Sequence, residues 1–422
     1  MSVAMSGPLS PYRVLDLSGD LGALCGRMLA DLGAEVIKFE PPAGDPARMI
    51  GPFADRERHP EKSLSWLYFN AGKRGIRLDL VQAAGRDLLL RLTAVSDFVI
   101  ESFPPGYLDD LGLGYDSLAA ENPAIVLVSI TPFGRHGPYR HFKATDLIGW
   151  AMGGQMELDG DLDRPPVRVS VPQAWGLAGA QAAAGAMVAH RARQRTGIGQ
   201  QVDVSAQECV VWTLMIAAQT WDILQINSRR GGSVRGNRRA GGRPVMQRVI
   251  WPCRDGYIWW TPSGGGQAGG LASMRALVRW MEDEDAAGET SAIDWLTLPV
   301  AALDQDAYDR MITPFQQFFL SKTKQELFEG AVARAIQLAP ANTLVDLMES
   351  PQLAAREYFV AVEHPSLGLT LQFPGAPVKL SRTPWKIGGR APKVGEHNRD
   401  VYGDLLGMDD EALMRLKARL VI

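Results

Sequence analysis

Cysteine, histidine and surplus positive charge are all scarce in this sequence, and each shortage removes a class of function. The 422 residues include three cysteines, Cys25, Cys209 and Cys253, too far apart for a CxxC zinc site or a disulfide framework. The six histidines are scattered without ligand spacing, so no metal is expected. A net charge of −3 denies the chain the clustered cations that a nucleic-acid surface needs. No run of about 18 apolar residues occurs, and the opening MSVAMSGPLSPYR lacks the basic and apolar regions of a secretory leader. The expectation is a soluble cytosolic protein with no nucleic-acid or membrane partner.

What the chain does have is length, with 46% apolar and 22% charged residues, enough for two or three domains with a large core. Apolar runs that end in turn residues alternate with helical patterns. YRVLDLS, EVIKFEPP, GIRLDL, DFVIESF and AIVLVSI read as strands; ALCGRMLADLGA, VQAAGRDLLLRLTAVS and YDSLAAEN read as helices. Such alternation predicts an α/β fold, a doubly wound parallel sheet of about six strands. An Ala-rich helix follows Ser170. After it comes GQQVDVSAQECVVWTLMIAAQTWDIL, a strand running into one further helix. The Gly- and Arg-rich stretch 228–245 reads as a boundary. Beyond it MQRVIWPCRDGYIWWTP, strand-like about a turn at Asp255–Gly256, begins a smaller α+β unit. The expected division is a large domain from 1–225, a linker and small domain over 226–330, and a segment 331–422 that returns to the large domain.

One segment asks for a special explanation. VPQAWGLAG, residues 171–179, opens a helix rich in alanine and glycine with one methionine, yet carries the bulky Trp175 in its first turn. Around it stand MLADLGAEVIKFEPPAGDPAR, FNAGKRGIRLDL, ESFPPGYLDDLGLGYDSLAAENPAIVLVSITPFGRHGPY, RTGIGQQVDVS and GEHNRDVYGDLLG, in that order. Together these segments resemble the family III CoA-transferases, over nearly the whole chain. The resemblance implies a Rossmann-like CoA-binding domain built from both ends of the chain, a small domain between, and two chains interlocked as a dimer. It also implies a chemistry in which an aspartate attacks an acyl-CoA thioester and forms a covalent anhydride. Counted back from Thr196–Gln200, the place of that aspartate falls on Trp175, whose indole cannot attack a thioester. A tryptophan at a helix start also suits plain core packing; either way, no acylating carboxylate stands there.

The same resemblance marks Lys38, Lys73, Arg74, Phe103 and Lys143 as CoA-binding candidates, and puts Gly241 and Gly242 near a glycine loop. CoA carries about four negative charges, so converging cations suit it. Phe103 could stack on adenine, although an aromatic after VIES equally suits a core. Several departures count against full function. The loop SGDLGAL (18–24) is a residue short, Asp110 replaces an arginine near the phosphates, and Thr145 replaces the histidine of related racemases. These predict weak CoA binding by the chain alone. Asp146 is a candidate substitute nucleophile, with a helix cap as its plainer reading. Cys209 reads as an inert core thiol. SGGGQAGG (263–270) could cradle a phosphate or form a flexible loop.

The leading expectation is a non-catalytic subunit of a heteromeric CoA-transferase. Its layout resembles the succinyl-CoA:benzylsuccinate transferases, which would make acyl-CoA and a carboxylic acid the substrates, with no covalently bound cofactor. The partner would be a homologous chain that keeps the aspartate. An acyl-CoA lyase, isomerase or thioesterase on the same scaffold, or a CoA-binding protein without catalysis, remain the alternatives.

Overall fold

Strands β1 (Arg13–Asp16), β2 (Glu35–Glu40), β3 (Arg74–Arg77), β4 (Phe98–Glu101), β5 (Val126–Thr131) and β6 (Gln201–Ser205) form one sheet in the order β3-β2-β1-β4-β5-β6. Every neighbouring pair is parallel. The structure is a computed structural model that describes residues 7–237, 245–263, 268–298, 300 and 303–422. Side chains alternate between two buried faces. Val14, Val36, Phe98, Ile100 and Val128 meet helices Ala23–Asp31 and Ala174–Thr196. Leu15, Ile37, Phe39, Val99 and Leu127 meet helices Ala83–Ala94, Tyr115–Glu121 and Asn398–Leu406. Burial on both sides explains why these strands are continuous apolar runs rather than alternating ones. The α/β doubly wound sheet expected from the sequence is present.

Small residues in helix Ala174–Thr196 have a packing reason. A Cβ on Gly179 would lie 2.8 Å from Leu24 Cβ and 3.2 Å from the Cys25 backbone nitrogen. One on Gly185 would lie 2.9 Å from Val202 Cγ1. Only a smooth helix surface lies this close to its neighbours. The helix stops at Gly197, whose φ of +75° is a left-handed conformation that glycine adopts without strain.

The chain divides into two compact units: 1–156, 169–224 and 352–422 in the first, 157–168 and 225–351 in the second. Residues 331–351 therefore sit in the second unit. In the first unit the C-terminal segment covers the edge strand β3. His397 Nδ1 accepts from Gly75 N at 3.0 Å, Asn398 Oδ1 accepts from Arg77 N at 2.9 Å, and Tyr402 Oη donates to Arg77 O at 2.7 Å. Covering the edge removes its tendency to pair with other chains.

The second unit contains β7 (Val234–Asn237) paired antiparallel with β8 (Val245–Arg248), so the Gly- and Arg-rich stretch is more than a linker. Strands β9 (Ile250–Cys253), β10 (Gly256–Trp260) and β11 (Leu338–Pro340) form a second antiparallel sheet. Gly256 pairs with Cys253, which places the turn at Arg254–Asp255, one residue earlier than expected. The core of this unit is aromatic, with Trp251, Trp260, Phe315 and Phe319 in mutual contact. A last hairpin, β12 (Phe359–His364) and β13 (Leu369–Pro374), belongs to the first unit and packs beside Trp66 and Leu67.

One helix was expected after β6, but two form, Ala206–Trp212 and Ala217–Leu224. Thr213 Oγ1 bonds back to Val210 O at 2.7 Å, and Met215 takes a φ of 52°. The β-branched residues Val210, Val211, Thr213 and Ile216 weaken the helix there.

Candidate functional site

A doubly wound sheet opens a crevice at the carboxyl ends of its strands where the strand order reverses, here between β1 and β4. A cavity of about 850 Å³ occupies that place. Leu17 and Gly19 follow β1 on its wall, Phe39 and Glu40 end β2, Ser102 and Phe103 follow β4, and Pro132 follows β5. Segment Arg140–Asp146 and Trp175 complete the wall.

Of the residues singled out in the sequence, Phe103, Lys143, Thr145, Asp146 and Trp175 line the cavity; Lys38, Lys73 and Arg74 do not. Phe103 packs against Tyr107 with ring centroids 4.7 Å apart. Lys143 is exposed. Arg74 is half-buried and bound to Glu35. Asp110 is exposed on the short helix Tyr107–Asp110, away from the wall. Gly241, Gly242 and residues 264–267 of the 263–270 stretch lie outside the described residues, and 268–270 open the helix Ala268–Asp283.

Lys38 and Lys73 lie beneath the wall and bind carboxylates. Lys73 Nζ, wholly buried, contacts Asp16 Oδ2 at 2.7 Å, Asn70 Oδ1 at 3.0 Å and the Ala23 carbonyl at 3.2 Å. Lys38 Nζ contacts Asp45 at 2.9 Å and the Ser18 carbonyl. Burial would raise the Asp16 carboxyl, but Lys73 and Lys38 outweigh it and hold the group below the usual aspartate range. Lys38 is held above the ordinary lysine value, because Asp45 and Asp16 outweigh its burial. Lys73 is pulled the other way by burial, against Asp16. Three acceptors at bonding distance make the ammonium–carboxylate pair the form we assign. Space for it depends on Gly26, where a Cβ would lie 2.3 Å from Asp16 Oδ2.

This buried network shapes the first loop. Asp16 Oδ1 accepts from Ser18 N at 3.0 Å and Ser18 Oγ at 2.6 Å, while Ser102 Oγ accepts from Gly19 N at 2.9 Å. The loop so fixed carries Asp20 onto the cavity wall, next to the Trp175 indole. Asp20 is exposed toward solvent, yet the protein around it raises its carboxyl above the usual value; the Leu21 N–H and Trp175 oppose that rise. The sequence reading missed Asp20, although the signal was available: it sits inside the loop marked as departing from the family pattern.

Trp175 itself is 9% exposed. Its ring packs so closely on helix Asp146–Met152 that a Cβ at Gly149 would come within 3.1 Å of Trp175 Cζ3. Asp146 caps the N-terminus of the tryptophan's helix, accepting from Trp175 N at 2.9 Å and Gln173 N at 3.2 Å. Both of its carboxylate oxygens are thus engaged. Burial pushes the Cys209 thiol up to about 11, as suits an inert core residue. Among the described residues no group of three or more His, Cys, Asp or Glu is placed to hold a metal, and no helix is long and apolar enough to cross a membrane.

Comparison with known proteins agrees with this architecture. The family model for CoA-transferase family III matches residues 9–398. Succinyl-CoA:(R)-benzylsuccinate CoA-transferase subunit BbsE of Thauera aromatica is 36% identical over 94% of each chain. Succinyl-CoA–D-citramalate CoA-transferase of Chloroflexus aurantiacus is 32% identical over 98% of each. The crystal structure of a CAIB/BAIF family protein from Brucella suis superposes with a TM-score of 0.78 at 29% identity, over 95% of this chain and 100% of that one. The chain belongs to CoA-transferase family III.

Proposed function

We propose that this chain is the non-acylated subunit of a heteromeric CoA-transferase that moves CoA from succinyl-CoA to an aryl-substituted succinate. The observation that carries this reading is Trp175 on the cavity wall at the head of the Ala-rich helix. Acyl transfer through the enzyme needs a carboxylate oxygen to attack the thioester carbonyl, with the C–S bond breaking and CoA thiolate leaving. The indole nitrogen shares its lone pair with the ring and offers no such nucleophile. Of the two carboxylates near Trp175, Asp146 is engaged by the helix terminus and Asp20 by the Leu21 N–H and the indole. The chemistry therefore belongs to a homologous partner that carries the aspartate.

In this reading the cavity seats CoA. Phe103 and Tyr107 offer an aromatic face to the adenine. Arg140 and Lys143 supply cations for the phosphates. Lys38 and Lys73 act as positioning residues, holding the loop after β1 in place. The subunit status of the Thauera relative supports a heteromer and its named substrate suggests the acceptor. Exposed apolar side chains on two consecutive helices and the turn between them, Trp212, Met215, Ile216, Ile223 and Leu224, suit burial by a second chain, interlocked with this one.

The test is an assay with succinyl-CoA and benzylsuccinate, using the purified chain alone and the chain co-expressed with a homologue that has Asp at the Trp175 position. Transfer by the pair and none by the single chain is expected. Turnover by the single chain at an enzymatic rate would refute the assignment.

A further inference from the structure

Five carboxylates stand on the cavity wall: Asp20, Glu40, Asp45, Asp79 and Asp146. Four of them are occupied by the fold. Glu40 takes Arg48 through both oxygens at 2.7 Å, and Asp45 takes Lys38. Asp79 accepts from Val81 N and Gln82 Nε2, each at 3.0 Å. Asp146 accepts the two backbone N–H groups of the long helix. Among the described residues Asp20 and Asp79 form no ion pair, and Asp20 is the one of the two that stands next to the Trp175 indole. Its partners are the Leu21 N–H and the Trp175 indole, and Asp45 repels it. The network around Asp16 and Lys38 fixes the loop, so this charge has little freedom to turn away.

An uncompensated carboxylate in a protein-walled cavity acts on any ligand charge that comes near. We infer that Asp20 is a specificity-determining residue: it admits CoA bearing no acyl group or a neutral one, and it disfavours an acyl group that ends in a carboxylate. The inference rests on the reading that CoA occupies this cavity with its thioester end toward Trp175. The phosphates have Arg140 and Lys143 to meet. The acyl end meets an indole and a carboxylate with no ion pair. In a heteromer this arrangement keeps the non-acylated half from sequestering a dicarboxylic acyl-CoA that its partner must process.

Butyryl-CoA and succinyl-CoA test the point, because both acyl chains have four carbons and differ in the terminal carboxylate. Calorimetry on the full chain should show butyryl-CoA bound about tenfold more tightly than succinyl-CoA, the scale of one like-charge contact a few ångströms apart in a partly screened site. Asp20→Asn, which keeps shape and removes charge, should close that gap to about twofold or less, and Asp20→Ser should do the same. Equal affinities in the unmodified chain, or a gap that survives both substitutions, would overturn the filter while leaving the CoA seat standing. Failure of the unmodified chain to bind CoA, butyryl-CoA or succinyl-CoA would refute the seat itself and the filter with it.

Discussion

Asp146 Oδ1 accepts the backbone N–H of Trp175 at 2.9 Å, so this cavity-wall carboxylate is bound to the helix on which the indole stands. A residue read in the sequence as a substitute nucleophile or a cap is a cap, though for helix Ala174–Thr196 rather than its own. Ordinary N-cap energetics apply: Asp146→Ala should destabilise the chain by about 0.5–2 kcal/mol, and Asp146→Asn by less. Urea titrations of the two variants measure this.

Restoring a carboxylate by Trp175→Asp should give little transferase activity. The new group would stand beside Asp20 and Asp146, and like charges oppose its ionisation. Removing a buried tryptophan from contact with Gly149 should also cost on the order of 3–5 kcal/mol. Steady-state assays and thermal melts of the variant separate the two effects.

Gly179→Ala should destabilise by about 1–3 kcal/mol, because the added methyl meets Leu24 and the Cys25 backbone. Gly176→Ala, in the same helix, has nothing within 4 Å of the added Cβ and should be neutral or slightly stabilising. Comparing denaturation midpoints of the pair isolates close packing from helix propensity.

Asp16 makes stability depend on acid in a definite direction. Its folded value lies below the unfolded one, so its contribution is complete above the ordinary aspartate pKa of 3.8 and is lost as pH falls through the depressed folded value. Asp16→Asn should flatten that acid limb. At neutral pH it should cost about 3–5 kcal/mol by leaving Lys73 buried without its carboxylate. Stability measured from pH 2 to 7 on both proteins checks the sign and the loss.

Much of the sheet was legible because strands buried on both faces leave an unmistakable run, as in AIVLVSI, and because turns and caps such as Gly33 punctuate them. The partnership of Gly75 with His397, 322 residues apart, has no local signal; family likeness implied only that the C-terminal segment returns to the large domain. The charges of Lys38 and Lys73 are legible in the sequence but not their direction, and both are held in ion pairs, with Asp45 and Asp16. Asp20 escaped notice for a related reason. A loop read for what it lacks hides what it presents, and only the fold shows Asp20 on the cavity wall beside Trp175 with no ion pair.

The central claim is that no carboxylate of this chain accepts an acyl group, and one measurement tests it directly. Purified chain is incubated with succinyl-CoA, treated with hydroxylamine, and digested for mass spectrometry. The account predicts no hydroxamate on Asp20, Asp146 or any other residue of this chain, with the adduct on the partner's aspartate when the two are mixed. A stoichiometric adduct on this chain alone, formed as fast as CoA is transferred, would contradict it.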